Sequence, residues 1–281
     1  MLQLDLDHTG CIAQSLDEAA AQWERLGFTL TPVSRQRGAV PGREGFHPWA
    51  TANRCAILGN SYLELIGTAD PACYNPWQHF IEQGEGLYLF ALRCENADAA
   101  HAALSKRTDA LRPPVPRERV LDVDGEPRTM RFRNIFSRDE AWPEARYLII
   151  EHQTPEYLWQ PRYRTHENGA RELRSVTFVA DDASGLDTRM QAFGAQRSGA
   201  DAWRLPGRGT VTVMSRDAWR QTYGYDAGRI GMHAMTVSVA DLASARRLWD
   251  ERGVDVHASA AGCWVSLSGF VLHWVQEGQH D

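Results

Sequence analysis

The stretch Leu6-Asp7-His8-Thr9-Gly10-Cys11-Ile12-Ala13 decides how the rest of the chain is read. It has the composition of a half-buried strand, and it runs directly into Ser15, whose hydroxyl suits the first turn of a helix. An apolar-periodic segment follows from Asp17 to Leu26 and stops at Gly27, a residue that takes the left-handed conformation helix ends often need. Strand, capped helix and glycine form a unit that can be sought elsewhere in the chain. Gly86 to Arg93 repeats the strand, and Asn96 to Leu104 repeats the helix start. Leu173 to Ala180 opens a third copy that continues through Leu186 to Phe193 and stops at Gly194. Met232 to Val239 opens a fourth, in which Asp241 to Trp249 mirrors Leu16 to Trp23.

Short β-like stretches separated by turn residues follow the helices. In the first copy they are Thr29–Ser34, Ala52–Leu58 and Tyr62–Ile66, with Gly59-Asn60 as a hairpin turn. In the second they are Val115–Leu121, Thr129–Phe136 and Arg146–Glu151, and in the fourth Asp255–Ala258, Cys263–Leu267 and Phe270–Gln276. Each unit therefore reads βαβββ, which makes the chain α+β. The Pro/Gly-rich segment Gly38 to Pro48 and the Arg112 to Glu118 stretch read as insertions, of the length that is usually functional or mobile. Residues 156–170 hold Pro161 and several aromatics without a period. They are expected to link a first domain at 1–155 to a second at 171–281.

The 281 residues, 43% apolar and 23% charged, suffice for one large domain or two ordinary ones and rule out disorder as the main state. No apolar run approaches the roughly 20 residues of a membrane span, and the opening Met1 to His8 has no basic region, so a cytoplasmic protein is expected. Net charge is −6 without single-sign blocks, which argues against nucleic acid as a partner. Lys106 stands alone as a lysine among arginines, an imbalance that reads as a coding bias. Five scattered cysteines without a C-x-x-C pair exclude a disulfide framework and a thiolate zinc site. Phosphate-loop and nucleophile-elbow motifs are absent, and Gly207-Arg208-Gly209 lacks a following helix that could bind an anion.

Four βαβββ copies resemble the vicinal oxygen chelate superfamily. The segments Leu6-Asp7-His8, Leu26-Gly27-Phe28, Thr51-Ala52-Asn53-Arg54, Tyr62-Leu63-Glu64-Leu65-Ile66 and Glu151-His152-Gln153-Thr154-Pro155-Glu156 are similar to signature segments of its bacterial glyoxalase-like branch. The resemblance implies four modules paired into two domains with cupped mixed sheets, and one divalent metal ion (Zn, Mn, Fe, Co or Ni) bound in a cup. It places ligands on the first and fourth strands of a module: His8 and Glu64 in module one, and either His152 or Glu151 at the end of module two. Side chains alternate along a strand, so only one of the last two can face the cup without a bulge. Tyr88 aligns with His8 in module two, and its phenol would pack or hydrogen-bond to substrate. His47, Asn53 and Trp49 are further candidates for the substrate pocket.

The second pair of modules reads as degenerate. Ser175 stands where His8 does, Thr210 to Ser215 offers no ligand, and His233 falls level with Asp7, with His273 on the last strand. A scaffold role follows for this half. A metal with open positions polarises a carbonyl and stabilises an oxyanion, so the implied activity is that of a lyase or isomerase on a small oxygenated or carbonyl compound, with Glu151 or Glu64 moving the proton. A sequestering protein of the same fold is the alternative, and a ring-cleaving dioxygenase a third reading. A monomer or a homodimer is expected.

Overall fold

The computed structural model describes residues 2–278. In its first half, β1 (Asp5–Ala13), α1 (Leu16–Arg25), β2 (Ser34–Val40), β3 (Arg43–Ile57), β4 (Tyr62–Thr68), α2 (Gln78–Ile81), β5 (Gly86–Arg93), α3 (Ala97–Leu104), β6 (Val115–Val123), β7 (Glu126–Phe136) and β8 (Arg146–His152) follow in order. After α4 (Pro155–Leu158) come β9 (Ala170–Val179), α5 (Ser184–Phe193), β10 (Gln196–Gly199), β11 (Ala202–Arg204), β12 (Thr210–Met214) and α6 (Arg216–Tyr223). The chain ends with β13 (Gly231–Val239), α7 (Leu242–Glu251), β14 (His257–Ser259), β15 (Gly262–Leu267) and β16 (Phe270–Gln276).

Local chemistry sets the unit boundaries. Ser15, Asn96 and Asp241 are extended residues whose side chains accept the backbone N–H groups of the first turns of α1, α3 and α7. Gly27 and Gly194, with φ of 89° and 81°, let the chain leave α1 and α5 in the left-handed region. The first sheet runs β2-β3-β4-β1-β5-β8-β7-β6, and the second repeats that order as β10-β11-β12-β9-β13-β16-β15-β14. In each, two modules meet along an antiparallel central pair, β1 with β5 and β9 with β13. The fold is thus α+β with two domains of paired modules. The first sheet curls until its outer strands approach each other: the guanidinium of Arg117 on β6 lies 5.4 Å over the ring of Phe46 on β3.

One apolar core runs through both domains. Phe90 meets Phe178 at 6.0 Å, Phe28 stacks on Trp274 at 5.3 Å, and Trp249 donates its indole N–H to the Leu26 carbonyl. The loop Leu205 to Gly209 of the second domain also grips the start of β1, with Leu6 N–H donating to the Arg208 carbonyl at 2.7 Å. Its glycines make this possible, because a Cβ at Gly209 would fall 2.5 Å from Leu6 Cβ. That is the purpose served by Gly207-Arg208-Gly209.

Two expectations change. Strand structure starts at Ser34, so Thr29–Ser34 is connection rather than strand. The segment Gly38 to Pro48, expected as an insertion loop, is instead the far half of the long β2–β3 hairpin. Residues 156–170 are anchored: His166 accepts Thr29 N–H at Nδ1 and donates from Nε2 to the Ile57 carbonyl, while Asn168 donates to Leu26.

Candidate functional site

The strand β1 carries a bulge. Leu6 pairs with Leu92 and His8 with Ala91, which leaves Asp7 as the extra residue. Regular alternation continues beyond it: Cys11 and Ala13 join the central core, whereas Ile12 faces the hollow of the first sheet. His8 falls on that inner side. Beside it on β4, Ile66 also faces the hollow, which places Glu64, two residues earlier, on the same side. On β8 the parity is set by Ile150 in the hollow, so His152 shares its side.

These strands bring a polar cluster to one end of the hollow. His8 Nδ1 lies 2.7 Å from Asp7 Oδ2, and His152 Nε2 lies 3.1 Å from the same oxygen. On its other nitrogen His8 meets Glu64, with Nε2 to Oε2 at 3.8 Å, and the Tyr62 hydroxyl at 3.3 Å. Asn53 donates its amide to Glu64 Oε1, and the Tyr62 ring stacks on the His8 ring at 4.1 Å. Trp159, from the segment after β8, covers this end, 5.0 Å from His152 and 6.0 Å from Tyr62. Asp7, His8 and Glu64 are all buried.

Burial pushes the Asp7 carboxyl upward, yet the imidazoles of His152 and His8 outweigh it and hold the group well below the usual carboxylate range. An ionised Asp7 can only accept, so Nδ1 of His8 carries a proton, and Nε2 is the nitrogen turned toward Glu64. Asp7 Oδ1 has no hydrogen-bond partner, and its nearest cation is Arg93 at 3.7 Å. The donor set is the imidazole-and-carboxylate type that suits a divalent transition metal. Its third member is otherwise engaged, because His152 gives its Nε2–H to Asp7. Among the described residues no three His, Cys, Asp or Glu side chains form a ready metal cage.

The remaining candidates fall elsewhere. Glu151 points out of the hollow, where its carboxylate accepts the Ala97 N–H at the start of α3, a helix-capping contact. Of the two candidates at the end of β8 it is His152, not Glu151, that joins His8 and Asp7. Tyr88 is level with Asp7 rather than His8: each is the bulged residue of its strand and lies eight residues before its helix cap. Leu89 takes the position of His8 in module two, and the Tyr88 hydroxyl donates to the Gly84 carbonyl. His47 bonds the Glu44 carbonyl and Trp49 the Ala39 carbonyl, both within the β2–β3 hairpin and outside the cluster. Asn53 is in it. Asp7 and Tyr62 belong to the segments that carry the resemblance without being assigned a role there, and Trp159 is among the loop tryptophans, with Trp49, Trp77 and Trp142, that the sequence offers as pocket-lining aromatics.

The other end of the hollow is apolar and filled by Phe80 and Trp77 of the α2 region, packed with Tyr88, Ile12 and Leu148. In the second sheet the corresponding hollow is blocked by Trp219 and Tyr223 of α6. His273 takes a hydrogen bond from Tyr223 at 2.6 Å, and His233 bonds the Arg229 carbonyl. Neither histidine meets a carboxylate, and burial pushes their pKa values down to about 4 and about 3. A cavity of about 530 Å³ opens between the domains, lined by Gln14, Glu85, Arg229 and His233. Its polar groups largely bond to one another, Gln14 N–H to the Glu85 carboxylate and His233 to the Arg229 carbonyl.

A family described as a glyoxalase-like domain matches residues 6–194. None of the curated proteins matches the sequence. A hypothetical protein from Staphylococcus aureus superposes with TM-score 0.64 at 10% identity, over 97% of this chain and 99% of its own. A mutant of 4-hydroxymandelate synthase from Streptomyces coelicolor gives 0.63 at 13% identity, over 100% of this chain and 94% of its own. A fusion of a xylose isomerase-like TIM barrel with 4-hydroxyphenylpyruvate dioxygenase gives 0.57 at 13% identity, over 99% of this chain and 49% of its own. At these identities the likeness is one of fold. No helix among the described residues is long and apolar enough to cross a membrane.

Proposed function

Since the chain belongs to the glyoxalase-like domain family, we propose that its first cup is a divalent-metal centre of a lyase or isomerase acting on a small oxygenated or carbonyl compound. The observation that carries this reading is the buried approach of His8 Nε2 to Glu64 Oε2 at 3.8 Å, with Asp7 fixing the ring from behind. A carboxylate behind a histidine sets its tautomer and raises its basicity as a ligand. His8 and Glu64 would hold the ion, with His152 beside them. When bound, it would supply Lewis-acid polarisation of a substrate oxygen.

The chain's own residues do the rest. Asn53 orients Glu64 through Oε1 and leaves Oε2 toward His8. Trp159 and Tyr62 keep water from the cluster. With Glu151 capping α3, proton transfer falls to Glu64, whose carboxylate is the one next to the proposed substrate position. A sequestering protein is the second reading, favoured by the engagement of His152 with Asp7.

Metal analysis separates them. Protein purified without chelator and then supplemented should hold about one equivalent of a divalent transition metal, falling below about 0.2 in the His8→Ala/Glu64→Ala double variant. Equal metal content in the two proteins overturns the catalytic proposal.

A further inference from the structure

The metal reading leaves the arginines of the first cup unexplained. Along β6 the side chains alternate: Val115, Arg117, Arg119 and Leu121 are half-buried, whereas Glu118 and Val120 are exposed. Two guanidiniums therefore sit on the sheltered face of an edge strand. Arg117 lies 5.4 Å over Phe46 and 5.8 Å over Phe136, and Arg119 lies 6.0 Å over Phe132. Phe132 belongs to the apolar cluster of the hollow and pairs with His152 across β7 and β8, so Arg119 above its ring stands on the hollow side of β6.

Neither arginine has a carboxylate partner among the described residues. The acids of the hollow are already met by other groups: Asp7 by His8, His152 and Arg93, and Glu64 by Asn53. Burial lowers the pKa of Arg117, as expected for a guanidinium that gives up water without gaining a counter-charge. Inward charges also deter edge-to-edge pairing. Edge protection does not require both groups to be drawn over aromatic rings around a hollow whose wall includes Ile66, Leu89 and Ile150. A planar fork of donors of this kind suits a carboxylate.

We propose that the first cup binds a small carboxylate with an apolar body at its β6 rim, its charge met by Arg119 and Arg117 and its body lying against Phe46, Phe136 and Phe132 beside them. This names the substrate class of the centre proposed above and rests on that reading for its chemistry, though not for its test. Phenylacetate and its uncharged isostere phenylacetamide are titrated calorimetrically into the full chain in excess EDTA. The acid should bind at least about tenfold tighter than the amide, and Arg119→Gln should weaken the acid about tenfold while leaving the amide unchanged. Arg119→Lys, which keeps the charge and guards against a folding artefact, should recover part of the loss. Equal binding of acid and amide, no change in the acid's affinity in either Arg119→Gln or Arg117→Gln, or no binding of phenylacetate up to about 10 mM each overturns the proposal. Because metal is absent throughout, failure here leaves the His8–Glu64 centre standing. Acid preference retained in His8→Ala would show the converse.

Discussion

The two domains share a strand order and both hollows hold aromatic plugs, yet only the first keeps a polar cluster beside its plug. Asp7 in the first and His233 in the second occupy the same place, a bulge eight residues before the helix cap of the module. In the first domain that bulge supplies a buried carboxylate to two histidines. In the second it supplies a histidine whose ring is satisfied by a backbone carbonyl. The connection after the fourth strand differs as well. It forms the four-residue α2 in one domain and the eight-residue α6 in the other, and Trp219 and Tyr223 on the latter fill the hollow. A shared backbone thus carries either a polar cluster beside an apolar plug or a plug alone, depending on a few inward side chains and one helix length. The second domain still bears on the first, because its 205–209 loop holds the start of β1.

The sharpest way to break the comparison is to remove the plug. Trp219 is fully buried, and Trp219→Ala should destabilise the protein by about 3–5 kcal/mol in denaturant titration. Divalent-metal affinity of the first cup should stay within about twofold, since lost packing in the second domain touches none of its ligands. Loss of metal binding in the still-folded variant would mean that the two hollows do not act separately.

Acid should test the second domain through its histidines. His233 and His273 have folded pKa values lowered by burial to about 3 and about 4, against 6.5 for the free group. Around His233 stand Arg229, Arg216 and Asp226; His273 faces Tyr223. Between pH 6.5 and about 4 the unfolded chain takes up protons that the folded chain refuses, so stability is full above that window and falls as pH is lowered through it. His273→Gln removes one such group, and the slope of stability against pH should fall by up to about 1.4 kcal/mol per unit. An unchanged slope would mean that His273 already carries its proton in the folded state.

Sequence made the repeat legible because caps and helix-ending glycines are local: Ser15, Asn96, Gly27 and Gly194 act within a few residues of themselves. The inward side of β1 and β4 was legible for the same reason, as alternation from Ile12 and Ile66 reaches His8 and Glu64. Parity also separates His152 from Glu151, once Ile150 is known to face the hollow. The bulge is not legible, because an extra residue in β1 or β5 is defined by the pairing of the two strands, and so Tyr88 aligns by sequence with His8 rather than with Asp7. The β2–β3 hairpin was disguised by its prolines and glycines, and α2 and α6 are too short to announce themselves by period. The inward arginines of β6 needed the curl of the sheet to acquire meaning.

The smallest effect concerns Tyr62. Its hydroxyl lies 3.3 Å from His8 Nε2 and its ring stacks on the imidazole, so the hydroxyl competes for the lone pair that a metal would use. Tyr62→Phe keeps the stacking and removes the competitor. A hydrogen bond of this kind contributes about 0.5–1.5 kcal/mol net, so metal affinity should rise about two- to tenfold while stability changes by no more than that amount. The corresponding contact in the second domain, Tyr223 to His273 at 2.6 Å, is shorter and sits beside the plug. Tyr223→Phe should therefore confer no metal binding there, since a freed nitrogen without a neighbouring carboxylate has one ligand to offer and no more. If Tyr62→Phe instead weakens binding by more than about tenfold, the phenol is itself a ligand, and the first cup is completed by oxygen rather than by His152.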